Sequence, residues 1–351
     1  MEDGAYRCRG RRSLEGGRSA LPGSLLFAAG LLGNVLALGL LWRQRARGGA
    51  GRGARAPAFH LLLWALAATD LLGKCLLSPL VLAAYARNRS LSAMGAAGGA
   101  AGGGGGGLCA LFGCLMAFFG LAPTALLLAM ALECWLSLGH PYFYRRHASR
   151  RRGALLGGAA AALCALFCAL PLLGFGATVQ YCPGSWCFIR MAGDGRAYSV
   201  LYASLLGLLV LAVGLCNLAT MRSLCRMARR QPPRSAAPTP GPGPAGAGRM
   251  EELGHLTLLA LMTVLFTVCS LPVIIRAYIG AFAPDYDENA DLTALRFFSV
   301  NSIVDPWVFI IFRTSVFRTC LHRVSRRLSS KKAPHSYLLE TSTRKDSGPL
   351  Q

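Results

Sequence analysis

The chain alternates between long apolar runs and short polar, mostly basic connections. Seven runs stand out: Leu21–Trp42, Phe59–Tyr85, Leu108–Leu138, Gly153–Gly176, Tyr198–Thr220, Leu256–Phe282 and Leu292–Arg313. Each has about the twenty residues that an α-helix needs to cross a hydrocarbon layer roughly 30 Å thick. A soluble core would not collect its apolar residues in such runs between basic loops. The pattern therefore predicts an all-α membrane protein, a seven-transmembrane helix bundle. After the seventh run, Thr314–Leu328 sets Val316, Phe317, Cys320 and Leu321 against Arg318, Arg323, Arg326 and Arg327. That mixture predicts a short amphipathic helix lying on membrane lipid, with Cys320 open to palmitoylation.

Polar residues inside the runs carry the functional signal, because an ionisable group within a span is unfavourable by roughly 2.5 to 3.5 kcal/mol. In the second run, Asp70, Lys74, Ser78 and Tyr85 form one stripe of a helical wheel. Either Asp70 and Lys74 neutralise each other at i and i+4, or the stripe faces a site; the second reading is favoured. In the seventh run Arg296 shares a face with Ser299, and Asn301 with Asp305. The two charges stand about 13 Å apart along an ideal helix. Two polar layers follow, one at the level of Arg296 and one formed by Asp70, Asn301 and Asp305, where a sodium ion has oxygens to bind. No other cofactor is expected. Pro272 and Pro306 are expected to bend their helices. Asn34 is read as a bond to a neighbouring helix, and Arg276 divides evenly between reaching for the interface and touching a ligand.

Composition agrees with a membrane protein: 54% of residues are hydrophobic, 15% are charged and the mean hydropathy is +0.44. A net charge of +22 would suggest nucleic acid in a soluble chain. Here no basic patch with interleaved aromatics sits on a soluble unit, which excludes that class. Most Lys and Arg fall in loops that lie on one side if the N-terminus is outside, and the positive-inside rule selects that orientation at the plasma membrane. Residues 1–20 contain no apolar leader segment, so the first span directs its own insertion. The expected organisation is an extracellular tail over 1–20, a seven-span body over 21–312, an amphipathic surface helix over 313–328 and a disordered cytoplasmic tail over 329–351. A Pro/Gly linker at 231–248 precedes the sixth span.

Asn88-Arg89-Ser90 is a glycosylation acceptor and agrees with that orientation. Of thirteen cysteines, Cys8, Cys109, Cys182 and Cys187 fall outside, an even number with three pairings open. His140 and His147 lack partner ligands for zinc. The Gly-rich stretch before the third span is not a phosphate cradle, because it follows no strand and lacks Lys-Ser/Thr. No nucleophile–base pair is visible, so an enzyme is disfavoured. A transporter using Asp70, Lys74 and Asp305 as a relay is disfavoured by the lack of an inverted repeat.

Seven spans, a cysteine opening the third and Asp305-Pro306 in the seventh resemble the rhodopsin-type G-protein-coupled receptors. Gly184-Ser185-Trp186-Cys187-Phe188, Leu295-Arg296-Phe297 and Asp305-Pro306-Trp307 resemble the prostanoid receptors among them. Leu71–Pro79, Ala131–Pro141 and Leu261–Ile274 look like the prostaglandin D2 branch of that family. The resemblance implies a Cys109–Cys187 disulfide and, as in some prostanoid receptors, Cys8–Cys182. It implies a prostaglandin ligand with its carboxylate on Arg296 and Ser185-Trp186, and contacts from Lys74, Tyr85 and Ser302. A guanidinium fork suits a carboxylate in a dry site. The resemblance also implies a stimulatory G protein and raised cyclic AMP, with prostaglandin E2 or prostacyclin as the alternative ligands. Serines and threonines of the tail offer phosphorylation sites through which arrestin is engaged. One departure from most rhodopsin-like receptors concerns Glu133, which is followed by Cys134 and not by arginine, so an ionic lock through that arginine cannot form.

Overall fold

The computed structural model describes residues 6–16, 19–47, 57–96, 107–147, 150–193, 195–230, 244–283 and 287–313. It divides into Met1–Val308 and Phe309–Gln351, and of the second unit only the end of the last helix is described. The surface helix expected after the seventh span, the tail beyond it and most of the Pro/Gly linker lie outside the described residues.

Nine α-helices are described: α1 (Leu21–Arg47), α2 (Pro57–Arg87), α3 (Leu91–Ala96), α4 (Gly107–Gly139), α5 (Pro141–His147), α6 (Arg150–Ala169), α7 (Arg196–Arg230), α8 (Pro244–Phe282) and α9 (Glu288–Arg313). Seven of them are long and apolar enough to cross a membrane, and α3 and α5 are short connectors. Their outward faces are apolar as well: Leu155, Leu156, Leu163, Leu166, Val264 and Val268 are all exposed. In water such a surface would aggregate; in lipid it is the expected finish of a bundle.

The seventh span begins at Glu288, four residues before the apolar run. Glu288 and Asp291 occupy its first turn, where carboxylates meet the positive end of the helix dipole. Pro79, Pro123, Pro272 and Pro306 all lie inside helices that continue through them. Close approach depends on missing side chains. A Cβ at Gly33 of α1 would lie 2.9 Å from Trp307 Nε1 of α9, and one at Gly120 of α4 would run into the Phe298 ring. Polar groups then lock the helices: Asn34 Nδ2 donates to Ser302 O at 2.9 Å, Trp307 Nε1 to Ala29 O at 3.2 Å, and Asn217 Nδ2 to Thr263 Oγ1 at 2.7 Å.

One end of the bundle wears a cap. Its frame is an antiparallel hairpin, β1 (Thr178–Tyr181) and β2 (Trp186–Ile189), which pairs Gln180 with Cys187. The Cys182-Pro183-Gly184-Ser185 turn has Gly184 at φ 106°, a left-handed backbone that suits glycine. Disulfides tie Cys187 to Cys109 at the start of α4 and Cys182 to Cys8 of the N-terminal segment. Gln180 then fastens three pieces: its Nε2 donates to Cys8 O at 2.7 Å, and its Oε1 accepts from Ser92 N and Oγ. Tyr6 is buried, with its hydroxyl accepting from the Met191 and Ala192 amides at 2.9 and 3.0 Å.

Candidate ligand site

A cavity of about 120 Å³ lies between α1, α2, α4 and α9, with Trp186 of the cap and Phe266 of α8 also in its wall. Most of the wall is apolar, including Leu26, Val81, Phe112, Met116 and Phe119. Its polar groups are few: Asp70, Lys74, Ser78, Ser299, Asn301 and Ser302. That ratio suits an elongated, largely apolar molecule held at a few polar points.

Lys74 is the cation of the site. It is half-buried, and its Nζ donates to Ser299 O at 3.0 Å. A Cβ at Gly30 would lie 3.2 Å from Lys74 Cε, so the glycine in α1 makes room for the lysine stem. Asp70 interacts electrostatically with Lys74. Among the described residues, though, the two form no ion pair within 4 Å, which leaves the ammonium turned across the cavity toward α9.

Below it, Asp70, Asn301 and Asp305 are buried together. Asn301 Nδ2 reaches Ser270 Oγ at 3.3 Å, while Asp70 Oδ2 and both oxygens of Asp305 have no hydrogen-bond partner. Orphaned carboxylate oxygens at close quarters fit a hard cation, and these three side chains would hold a sodium ion there.

The remaining residues singled out from the sequence are scattered. Trp186 lines the cavity and meets Phe112 edge-on at 6.4 Å. Ser185 beside it is fully buried, with its hydroxyl unpartnered. Tyr85 is half-buried, lies outside the cavity wall and accepts at its carbonyl from Asn88 N. Arg296 is exposed one turn toward the cap from Ser299 and is not part of the cavity wall. Helical phase accounts for this: the face lined by Phe298, Asn301 and Ser302 leaves position 296 at its edge. Asn88 is exposed with φ 46°, closing α2 in a Schellman-type cap in which Arg89 N donates to Ala84 O. Glu133 accepts from Tyr144 at the end away from the cap, and Pro272 is half-buried in α8.

Two acidic residues escaped the sequence reading. Asp291, fully buried, pairs with Arg276 through its Nε, which settles that arginine as a structural partner. Glu288 accepts from Cys182 N at 2.8 Å and Arg7 N at 3.0 Å, joining α9 to the cap. Their signal was present: two carboxylates at the edge of an apolar run in a chain with only 15 acidic residues.

A family model described as "7 transmembrane receptor (rhodopsin family)" matches residues 33–309. The human prostaglandin D2 receptor is 53% identical over 348 residues, covering 92% of this chain and 94% of that one. The chain belongs to the prostanoid receptors of the rhodopsin family. The human prostaglandin E2 receptor EP2 subtype is 47% identical over 324 residues, with 89% and 87% coverage. The crystal structure of squid rhodopsin superposes with a TM-score of 0.65 at 15% identity, covering 90% of this chain and 87% of that one, and so shares the fold. The receptor is thus a multi-pass membrane protein from a family of receptors, not of enzymes, and both disulfides implied by the family resemblance form.

Proposed function

We propose that this receptor binds prostaglandin D2 in the α1–α2–α4–α9 cavity and activates a stimulatory G protein, raising cyclic AMP. The observation that carries the ligand class is Lys74: one ammonium, bonded to Ser299 O, in a mostly apolar wall whose other polar groups are Asp70, Ser78, Asn301 and Ser302. A lipid acid or its ring oxygens would find a charge-assisted partner there, and the hydrocarbon chains would take the apolar walls. Arg296 at the rim and the buried Ser185 hydroxyl are assigned to the carboxylate end. The choice of prostaglandin D2 rests on the identity to the human receptor of that name. The N-terminus and cap face outside, Asn88 carries glycan, and the receptor works at the plasma membrane. The G protein docks at the opposite end, where Tyr142 and Phe143 of α5 are exposed, and arrestin reads the phosphorylated tail. A sodium ion bound by Asp70, Asn301 and Asp305 favours the resting state.

Competition of tritiated prostaglandin D2 by unlabelled D2, E2 and a stable prostacyclin analogue tests the assignment. Prostaglandin D2 should displace the tracer at the lowest concentration. Preference for E2 or the prostacyclin analogue would move the receptor to that ligand, and absence of specific binding would end the proposal.

A further inference from the structure

The end of the bundle away from the cap is closed by contacts that the ligand site does not use. In an activated receptor of this architecture, α8 has to leave its neighbours for a partner pocket to open; the inference below rests on that proposed function. Cys134 follows Glu133, so position 134 offers no guanidinium to hold α8. Glu133 is engaged elsewhere. Tyr144 of α5 donates to its Oε1 at 2.8 Å, and the Phe59 backbone of α2 interacts with the same carboxylate.

Phe59 also reaches α8. Its buried ring stacks on His255 with centroids 4.6 Å apart and planes at 22°. His60 meets His255 edge-on at 5.4 Å and 89°, and leans on Phe59 at 6.3 Å. Three rings from two helices therefore form one cluster where α8 must separate. We propose that Phe59, His60 and His255 are the latch that keeps α8 closed in this receptor, doing for α2 and α8 what an arginine bridge does between charged partners. Stacking of this kind shifts an equilibrium by a factor of roughly 2 to 13, a bias toward the closed state that an agonist can overcome. Glu133 and Tyr144 position the α2 side of the latch through the Phe59 backbone.

The test uses full-length receptor in lipid nanodiscs, with exposed Cys75 and Cys225 replaced by alanine and spin labels at exposed Trp64 of α2 and Leu261 of α8. Without ligand, the wild type should show mainly one short distance. Phe59→Leu keeps a large apolar side chain without the stack, and His255→Ala removes the α8 ring. Each should raise the long-distance population, and ligand-independent nucleotide exchange on the G protein, by roughly threefold to tenfold. His255→Phe keeps a ring and should stay near wild type, which separates a latch from general destabilisation. Unchanged distances and exchange in both Phe59→Leu and His255→Ala overturn the latch. If saturating prostaglandin D2 fails to lengthen the wild-type distance while those two variants do, the latch stands and the ligand assignment falls.

Discussion

Replacing Lys74 by methionine keeps the stem that packs against Gly30 and removes only the ammonium. In the empty receptor the loss is one hydrogen bond, to Ser299 O at 3.0 Å, and one electrostatic partner of Asp70. With ligand bound, the variant would also forfeit a charge-assisted hydrogen bond, worth about 1.5 to 3 kcal/mol, which is about a tenfold to 150-fold loss in affinity. The two roles separate by assay. Saturation binding of tritiated prostaglandin D2, normalised to surface receptor counted through an N-terminal epitope, reports the ligand contact. Surface number itself reports the neutralising role. Lys74→Met should reach the surface and bind at least tenfold more weakly, and Asp70→Asn in the same chain should not restore affinity. Affinity within twofold of wild type at equal expression would refute the ligand contact; lost expression rescued by Asp70→Asn would assign Lys74 to neutralisation alone.

Other perturbations probe the frame around that site. Gly120→Ala drives a methyl into the Phe298 ring and should cost about 1 to 3 kcal/mol, read as a lower melting temperature that Phe298→Leu partly restores. Asp291→Asn leaves the Arg276 guanidinium without its carboxylate and should destabilise by about 3 to 5 kcal/mol; a melting temperature like that of wild type would show that the pair is idle. Tyr6→Phe strips the shared acceptor from the buried Met191 and Ala192 amides, at about 1 to 3 kcal/mol for each, and should expose the cap to limited proteolysis. Burial first, and then the bond to Glu133, push the Tyr144 phenol well above its ordinary range. The unfolded chain therefore gives up that proton before the folded one. Its contribution to stability is whole below about pH 10 and declines as pH rises beyond it. Tyr144→Phe should flatten that part of the alkaline stability curve.

The spans were legible because lipid imposes a length and a composition on a helix, and all seven appear where apolar runs predicted them. Asn34 bonding to a neighbouring helix and the inward stripe of Asp70, Lys74 and Ser78 follow from the same logic: a polar group in a span must find protein. The hairpin was less visible. Four-residue strands such as Thr178–Tyr181 are short signals, and only the flanking Pro183-Gly184 hinted at the turn. Arg296 illustrates the limit of the wheel: periodicity assigns a face, but not how far around the helix the cavity wall extends, and here the wall does not include it. The Arg276–Asp291 pair joins two spans that are separate in the chain, and nothing in either span alone names its partner. Glu288 is similar, since its role depends on where the Cys8–Cys182 cap comes to rest.

A prostanoid acid is proposed to lie in the chamber between α1, α2, α4 and α9. The most direct test of that placement is photocrosslinking of the receptor with prostaglandin D2 carrying a diazirine on its hydrocarbon chain, followed by mapping of the labelled peptides. Label confined to Leu77–Leu82, Phe112–Phe119 and Phe298–Ile303, and displaced by unlabelled prostaglandin D2, is the predicted result. Displaceable label on α7 and α8 near Ser204 and Tyr278, with none on those three segments, would contradict it.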